Sequence, residues 1–335
     1  MMDVITLSHG SGGKLSHKLI NDVFYKHFKN DILALSDDAA RLPEIKGELA
    51  FTTDSFVVTP IFFPGGDIGK IAIAGTVNDL AVSGAKPMYI SCAAIIEEGF
   101  LIKDLERIVI SMAECALEAG VKIVCGDTKI VEKNAADGIF INTSGVGMIK
   151  KDYPLGYDKI KTKDKIILTG TSGDHGIAIM SKRKGFEFDS EIKSDSAPLN
   201  IMIQDIMDNF TGVKFMRDPT RGGVATTLNE IAKSSGKTIT IVEDQIPVKE
   251  IVKAASELLG LDILYLANEG KALIFVDEKI ASDVVNFMSK YKYGKDAAVI
   301  GEVTDQNDAR VYLKTRYGSS RILDMLTGEQ LPRIC

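Results

Sequence analysis

The chain has 335 residues, 45% of them hydrophobic and 26% charged, with a formal net charge of -6. That length suits two domains, the balance is globular, and the interspersed charges form no basic stripe of the kind a nucleic-acid surface needs. No apolar run reaches membrane-span length, the N-terminus has no secretory pattern, and Cys92, Cys115, Cys125 and Cys335 lack metal-type spacing. The expected setting is therefore a reducing cytoplasm, with neither nucleic acid nor membrane as a partner.

In chain order, His9-Gly10-Ser11-Gly12-Gly13-Lys14 precedes helical spacing at Leu15, Leu19 and Val23. A glycine-rich loop entering a helix offers backbone N–H groups to an anion, although no Lys-Ser/Thr ends it as a Walker loop would require. Asp37 and Asp38 follow an apolar run at 32–35, and Asp54 follows another at 49–53; both runs read as strands. Carboxylates at strand ends suit Mg²⁺, while for any one Asp alone ordinary turn chemistry is the simpler account. Phe62-Phe63-Pro64-Gly65-Gly66-Asp67 opens a long helix with Asp67 as N-cap, and Gly84 and Pro87 close it. Asn78 and Asp79 interrupt its apolar spacing, a costly placement unless the pair is bonded or binds something.

Residues 87–96 read as a buried strand. Leu105, Ile108, Val109, Met112 and Ala116 mark an amphipathic helix ending at Gly120, with Cys92 and Cys115 in the core. A strand at 121–125 is broken by Gly126-Asp127-Thr128-Lys129, whose small, acidic and basic side chains fit metal and phosphate handling; a strand at 139–148 closes the first domain. Residues 150–165 read as the linker. The second domain alternates strand and helix, with Gly170-Thr171-Ser172-Gly173-Asp174-His175-Gly176 and Arg217-Asp218-Pro219-Thr220-Arg221-Gly222-Gly223 as turns into helices. A strand at 239–242 and a helix at 248–259 follow. Strands at 263–266 and 272–276 flank Ala267-Asn268-Glu269-Gly270, where Glu269 is either an acid–base group or a solvated turn residue. His9, His17, His27 and His175 show no ligand spacing and read as surface or loop residues, so no zinc site is assigned. The chain ends Leu331-Pro332-Arg333-Ile334-Cys335, a short arm carrying a thiol that reacts only as thiolate.

Together these motifs resemble the HypE family of hydrogenase maturation factors, within the superfamily of aminoimidazole ribonucleotide synthetase, selenophosphate synthetase and thiamine-monophosphate kinase. The match covers nearly the whole length. Besides the motifs above it includes Thr53-Asp54-Ser55 and Gly75-Thr76-Val77-Asn78-Asp79-Leu80-Ala81. The glycine and aspartate motifs are shared across the superfamily, while Pro332-Arg333-Ile334-Cys335 is specific to HypE; Ser11 stands where relatives often have glycine.

The resemblance implies an α+β, two-domain PurM-like fold. Residues 1–150 would form an ATP-binding domain whose sheet pairs across a homodimer, residues 151–320 the second domain, and residues 321–335 a flexible tail. It implies ATP-dependent dehydration of a carbamoyl group on Cys335 to a thiocyanate, which supplies the cyanide ligand of a [NiFe]-hydrogenase centre. The implied partners are the carbamoyltransferase HypF and a HypC–HypD iron scaffold. By the same resemblance Cys335, Lys129 and Glu269 are catalytic, with ATP and Mg²⁺ as cofactors. Gly12, Gly13, Asp54, Asn78, Asp79 and Asp127 would bind nucleotide, and Asp37, Asp38, Asp54, Asp79, Asp127 and Asp218 metal. Arg333 could lower the pKa of the neighbouring thiol, weakly. The rivals are a sibling ATP-dependent synthetase or kinase acting on a small molecule, and a nucleotide-gated scaffold whose tail docks partners without reacting. No cysteine lies near the N-terminal glycine loop, as selenophosphate synthesis would want.

Overall fold

The computed structural model describes residues 4–149, 155–185, 192–306, 308–326, 328, 331 and 333–335; Pro332 and the first residues of the expected linker, 150–154, lie outside them. A 3-10 turn, Leu7–Gly10, leads into α1 (Lys14–Leu19), a π-wound stretch Ile20–Tyr25 and α2 (Lys26–Phe28), which bury Leu19, Val23 and Phe28. Residues 32–35 are not the expected strand. They form a 3-10 turn, Leu33–Leu35, ended by Ser36 at φ 53°, since so short an apolar run carries no periodicity to separate the two outcomes.

The first half is built on β1 (Glu48–Phe56), the hairpin β2 (Phe62–Phe63) and β3 (Gly66–Asp67), α3 (Ile68–Val82), β4 (Ala85–Glu97), α4 (Ile102–Ala119), β5 (Lys122–Val131) and β6 (Ile139–Ile149). Its sheet runs β1-β6-β4-β5, so β1 and β5 are opposite edges. The expected break at 126–129 is absent, and β5 continues through it. Gly126 lies opposite Cys92 in the ladder, where a Cβ would stand 2.3 Å from the Cys92 carbonyl oxygen. The glycine thus permits close strand approach instead of ending the strand.

Asp67 caps α3 as expected, accepting from the N–H groups of Gly69 at 2.8 Å and Lys70 at 3.0 Å, an interaction typically worth about 1 kcal/mol. Apolar on nearly every side, α3 is buried between the sheet and the second half. A Cβ at Gly69 would lie 2.5 Å from the Ile108 carbonyl oxygen, which is how closely α4 approaches. Gly120, at φ 69°, ends α4 in the left-handed conformation glycine tolerates. The other face of the sheet is open: Phe51 and Leu49 on β1 are 70% and 55% exposed, and Ile95 on β4 is exposed as well.

The second half comprises β7 (Lys165–Leu168), α5 (Asp174–Lys184), α6 (Asn200–Asn209), β8 (Val213–Arg217), α7 (Gly223–Ser235), β9 (Thr238–Val242), α8 (Glu250–Leu259), β10 (Leu273–Val276), α9 (Ala281–Met288), β11 (Ala298–Thr304), β12 (Val311–Lys314) and β13 (Ser320–Ile322). Its sheet runs β13-β12-β9-β11-β7-β10-β8. Leu228 and Ile231 of α7 pack on one face of it, and Ile203 of α6 with Val284 of α9 on the other. Residues 263–266 are again not a strand but a 3-10 turn, Ile263–Tyr265, seeded by the Asp262 carboxylate accepting from Leu264 N at 3.0 Å. β13 carries the ordered sheet to Ile322, two residues into the segment expected as tail. Among the described residues no helix is long and apolar enough to cross a membrane.

Candidate active site

A cleft of about 910 Å³ opens between the halves, lined by Asp79, Asp218, Arg221 and Cys335 among others. Asp54 alternates with Thr52 and Phe56 on the inward face of β1, and Asp79 projects from α3, where Thr52 Oγ1 donates to its Oδ2 at 2.8 Å. Asp218 follows β8, in the turn before α7. Burial, and then the Asp79 carboxylate, push Asp54 up to about 6. Burial, with Asp79 and Asp54 adding to it, takes Asp218 up to about 7, and Asp79 is raised as well, chiefly by burial. Three carboxylates that resist ionising together make a site short of positive charge.

Glu269 lies beneath them, 3% exposed, and its Oε1 has no hydrogen-bond partner. Burial and then the carboxylates of Asp195, Asp218, Asp54 and Asp79 drive its pKa well above the ordinary value. Its backbone is tightly held. Its N–H donates to Asp195 Oδ1 at 3.2 Å, and Asn268 next to it accepts from Gly173 N at 2.8 Å while donating to Pro219 O at 3.1 Å. A Cβ at Gly270 would fall 1.9 Å from the Asp195 carbonyl oxygen, so the bend demands glycine. Asp195 pairs with Lys271 at 3.2 Å. Burial works against its charge, but Lys271, with the Glu269 N–H bond, outweighs it and holds the carboxyl below its usual value. The solvated-turn reading of Glu269 is thereby excluded.

The end of the chain enters the same cleft. Val57 N donates to Cys335 O at 3.0 Å and Thr59 N to Arg333 O at 3.2 Å, so the last residues lie along 57–59. Ile334 and Leu331 are buried in the core cluster that joins the first half to α5 and α8 of the second. Arg183 donates to the carbonyls of Thr59 and Arg333, and Arg333 pairs with Asp137 and donates to Val57 O at 2.9 Å. Arg333 is therefore spent on Asp137 and the backbone, and the cation opposing the carboxylates at the thiol is Arg221. Burial and then Glu269 push the Cys335 thiol up to about 12, so the docked thiol is not activated.

The remaining expected residues lie elsewhere. Asn78 sits behind the cleft: its Oδ1 accepts from Leu199 N at 2.8 Å and its Nδ2 donates to Ala197 O at 3.0 Å and to the Glu269 carbonyl at 3.4 Å. Asp127 and Lys129 form an exposed pair 2.9 Å apart on β5. Lys129 holds Asp127 below the ordinary carboxylate range. Gly12 and Gly13 are exposed in the loop before α1, and Asp37 and Asp38 are exposed beyond the Leu33–Leu35 turn, Asp37 pairing with Arg41 at 3.2 Å. Both flanking turns pack on β5, where a Cβ at Gly10 would stand 2.9 Å from that of Ile130. The expected site thus falls into two groups: Asp54, Asp79, Asp218, Glu269 and Cys335 at the β1 edge, and Gly12, Gly13, Asp37, Asp38, Asp127 and Lys129 towards the β5 edge. Sequence reasoning gave Arg221, Asp195 and Arg183 no role, and it misplaced His175, which is fully buried.

The two halves are those of the AIR synthase related proteins, whose N-terminal domain model matches residues 36–149 and whose C-terminal domain model matches residues 161–314. Within that class the chain is 48% identical over 332 residues to the carbamoyl dehydratase HypE of Bradyrhizobium diazoefficiens, covering 99% of this chain and 96% of the relative. A crystal structure of the hydrogenase maturation protein HypE in complex with ATP superposes with a TM-score of 0.95 at 46% identity, covering both chains fully. A HypE–HypF complex matches at 50% identity and a TM-score of 0.81, covering 92% of this chain and 99% of that one. The chain belongs to the HypE family of carbamoyl dehydratases.

Because burial pushes the Asp218 carboxyl up to about 7 from 3.8, stability falls as pH rises from the lower value to the higher, and the loss stays constant above it. Asp218→Asn in the metal-free protein is expected to raise Tm by a few degrees at pH 8, by clearly less at pH 5, and hardly at all once the pH falls below the free-Asp value; thermal melts across this pH range check this.

Proposed function

We propose that the protein dehydrates a carbamoyl group carried on Cys335, using ATP, to give a protein-bound thiocyanate. One observation carries the reading: Cys335 lines the cleft together with Asp79, Asp218 and Arg221, close enough to a buried glutamate with an unpartnered oxygen to feel its charge. An amide oxygen leaves poorly, whereas a phosphate leaves readily. Transfer of the ATP γ-phosphoryl group to the carbamoyl oxygen, with loss of one N–H proton, gives an imidate phosphate and ADP. Loss of phosphate and the second N–H proton then leaves the C≡N bond on sulfur. Glu269 is the base for these protons, since its Oε1 is free to accept one, and Arg221 faces the charge that develops nearby.

Magnesium fits the residues present. Asp54, Asp79 and Asp218 offer oxygen ligands whose charge Arg217 and Arg221 only partly offset, although among the described residues no three acidic, His or Cys groups stand close enough to form a metal site unaided. Those three aspartates would hold it, and when bound it would neutralise charge on the transferring phosphoryl group.

The two separated groups of residues favour a homodimer. If two open sheets close face to face about an axis along their strands, β5 of each copy lies opposite β1 of the other. The glycine loop, Asp127 and Lys129 of one chain then complete the cleft of its neighbour. The apolar exposure of Phe51, Leu49 and Ile95 supports burial of that face. In this reading Gly12 and Gly13 cover phosphates and Lys129 stabilises the transferring group, with a carbamoyltransferase of the HypF kind loading the thiol and an iron scaffold of the HypC–HypD kind receiving the cyano group.

Mass spectrometry of the C-terminal peptide tests the chemistry: carbamoylated Cys335 should lose one water only with ATP and Mg²⁺, and Glu269→Gln should slow the loss roughly a hundredfold or more. A loaded Cys335 unchanged by ATP would remove the assignment. For the shared site, Lys129→Ala and Glu269→Gln should each be inactive alone, while mixed and reassembled subunits recover turnover. No recovery in verified mixed dimers would place Lys129 outside the neighbour's cleft.

A further inference from the structure

His175 stands in the Gly-rich turn that starts α5, is fully buried, and meets the tail directly. Its Nε2 lies 2.8 Å from the Ile334 carbonyl oxygen and its Nδ1 lies 2.8 Å from Ser194 Oγ. A carbonyl only accepts, so Nε2 carries the proton and donates it. Burial disfavours the imidazolium, which leaves Nδ1 bare to accept from the Ser194 hydroxyl. Ser194 Oγ in turn accepts from Ser196 N at 3.1 Å, and the edge of Phe63 meets the ring at a centroid distance of 5.4 Å. With the tail docked, the ring is held in one tautomer between the Ile334 carbonyl and Ser194, with Phe63 against it. The carbonyl it grips belongs to the residue preceding Cys335, whose own carbonyl accepts from Val57 N at 3.0 Å, so the two bonds bracket the residue that carries the thiol.

We propose that His175 is the positioning residue for the cargo-bearing tail: its Nε2–H, oriented through Ser194, grips the Ile334 carbonyl and sets Cys335 in the cleft lined by Asp79, Asp218 and Arg221. The assignment rests on the dehydratase reading for its purpose, but the grip itself is a property of the docked tail and is read separately. His175 touches neither the thiol nor the carboxylate ring in this arrangement. Its removal acts on how often the tail is seated and not on the proton transfer.

The test is alkylation of the full-length, unloaded protein with iodoacetamide, followed by peptide mass spectrometry of Cys335, with buried Cys92 and Cys115 as internal reporters of folding. His175→Ala should raise the Cys335 alkylation rate roughly tenfold, as expected for a lost buried hydrogen bond, with Cys92 and Cys115 still protected. His175→Gln, which keeps an N–H donor at similar reach, should restore most of the protection. On carbamoylated protein the same variants should slow ATP-dependent dehydration in the same order, without slowing the loading step. Unchanged Cys335 reactivity in a folded His175→Ala protein overturns the proposal. Should that variant expose Cys92 and Cys115, Ser194→Ala takes its place, with a smaller rise expected at Cys335, and no rise again overturns the proposal. A wild type that never loses water with ATP would defeat the dehydratase reading while leaving the alkylation result standing.

Discussion

Uncompensated negative charge is the constraint around which this molecule is arranged. Asp54, Asp79, Asp218 and Glu269 converge from β1, α3, the turn before α7 and the bend before β10, and each raises the cost of ionising another. A fold driven only towards stability would not gather them. The surrounding structure holds them by backbone bonds that leave the carboxylates available, as with Asn78 and Asn268, whose amides tie loops together directly behind Glu269. Asp195 and Lys271 form a buried pair next to it, which fixes a charge where a mobile one would be paired away.

The same economy explains why the thiol is quiet when docked. A cysteine among carboxylates is a poor thiolate, so on the proposed reading the pocket that would suit a neutral carbamoyl cargo is ill suited to acquiring it. Loading and dehydration therefore want different surroundings for one sulfur atom. Chain segments on both sides of the cleft contribute to holding the tail in the second of these: Val57, Thr59 and Asp137 from the first half, His175 and Arg183 from the second.

Much of the scaffold was legible from residue order. The Asp67 cap, the end of α4 at Gly120 and the glycine turns leading to α5 and α7 each follow from local chemistry that tertiary packing had no reason to override. The runs at 32–35 and 263–266 misled because four apolar residues fit a turn as well as a strand, and Gly126 misled because a glycine that admits a neighbouring strand looks the same as one that ends a strand. The aspartates were recognisable as a set only through the family motif; their division between opposite sheet edges depends on strand order, which spacing does not encode. His175 was invisible for a related reason. Its partner is a carbonyl on a residue 159 positions away, and a carbonyl leaves no mark in a sequence.

One consequence follows from where the ordered sheet lets go of the chain. Leu323 is fully buried, and the dozen residues after it, if pulled straight, extend to roughly 40 Å at about 3.3–3.6 Å per residue. That distance is comparable with the width of a whole domain. On the proposed dehydratase reading, that reach is enough for the thiol to meet the rim of a neighbouring macromolecule while both halves stay still, less like a hinge than like a crane whose boom is its own last segment.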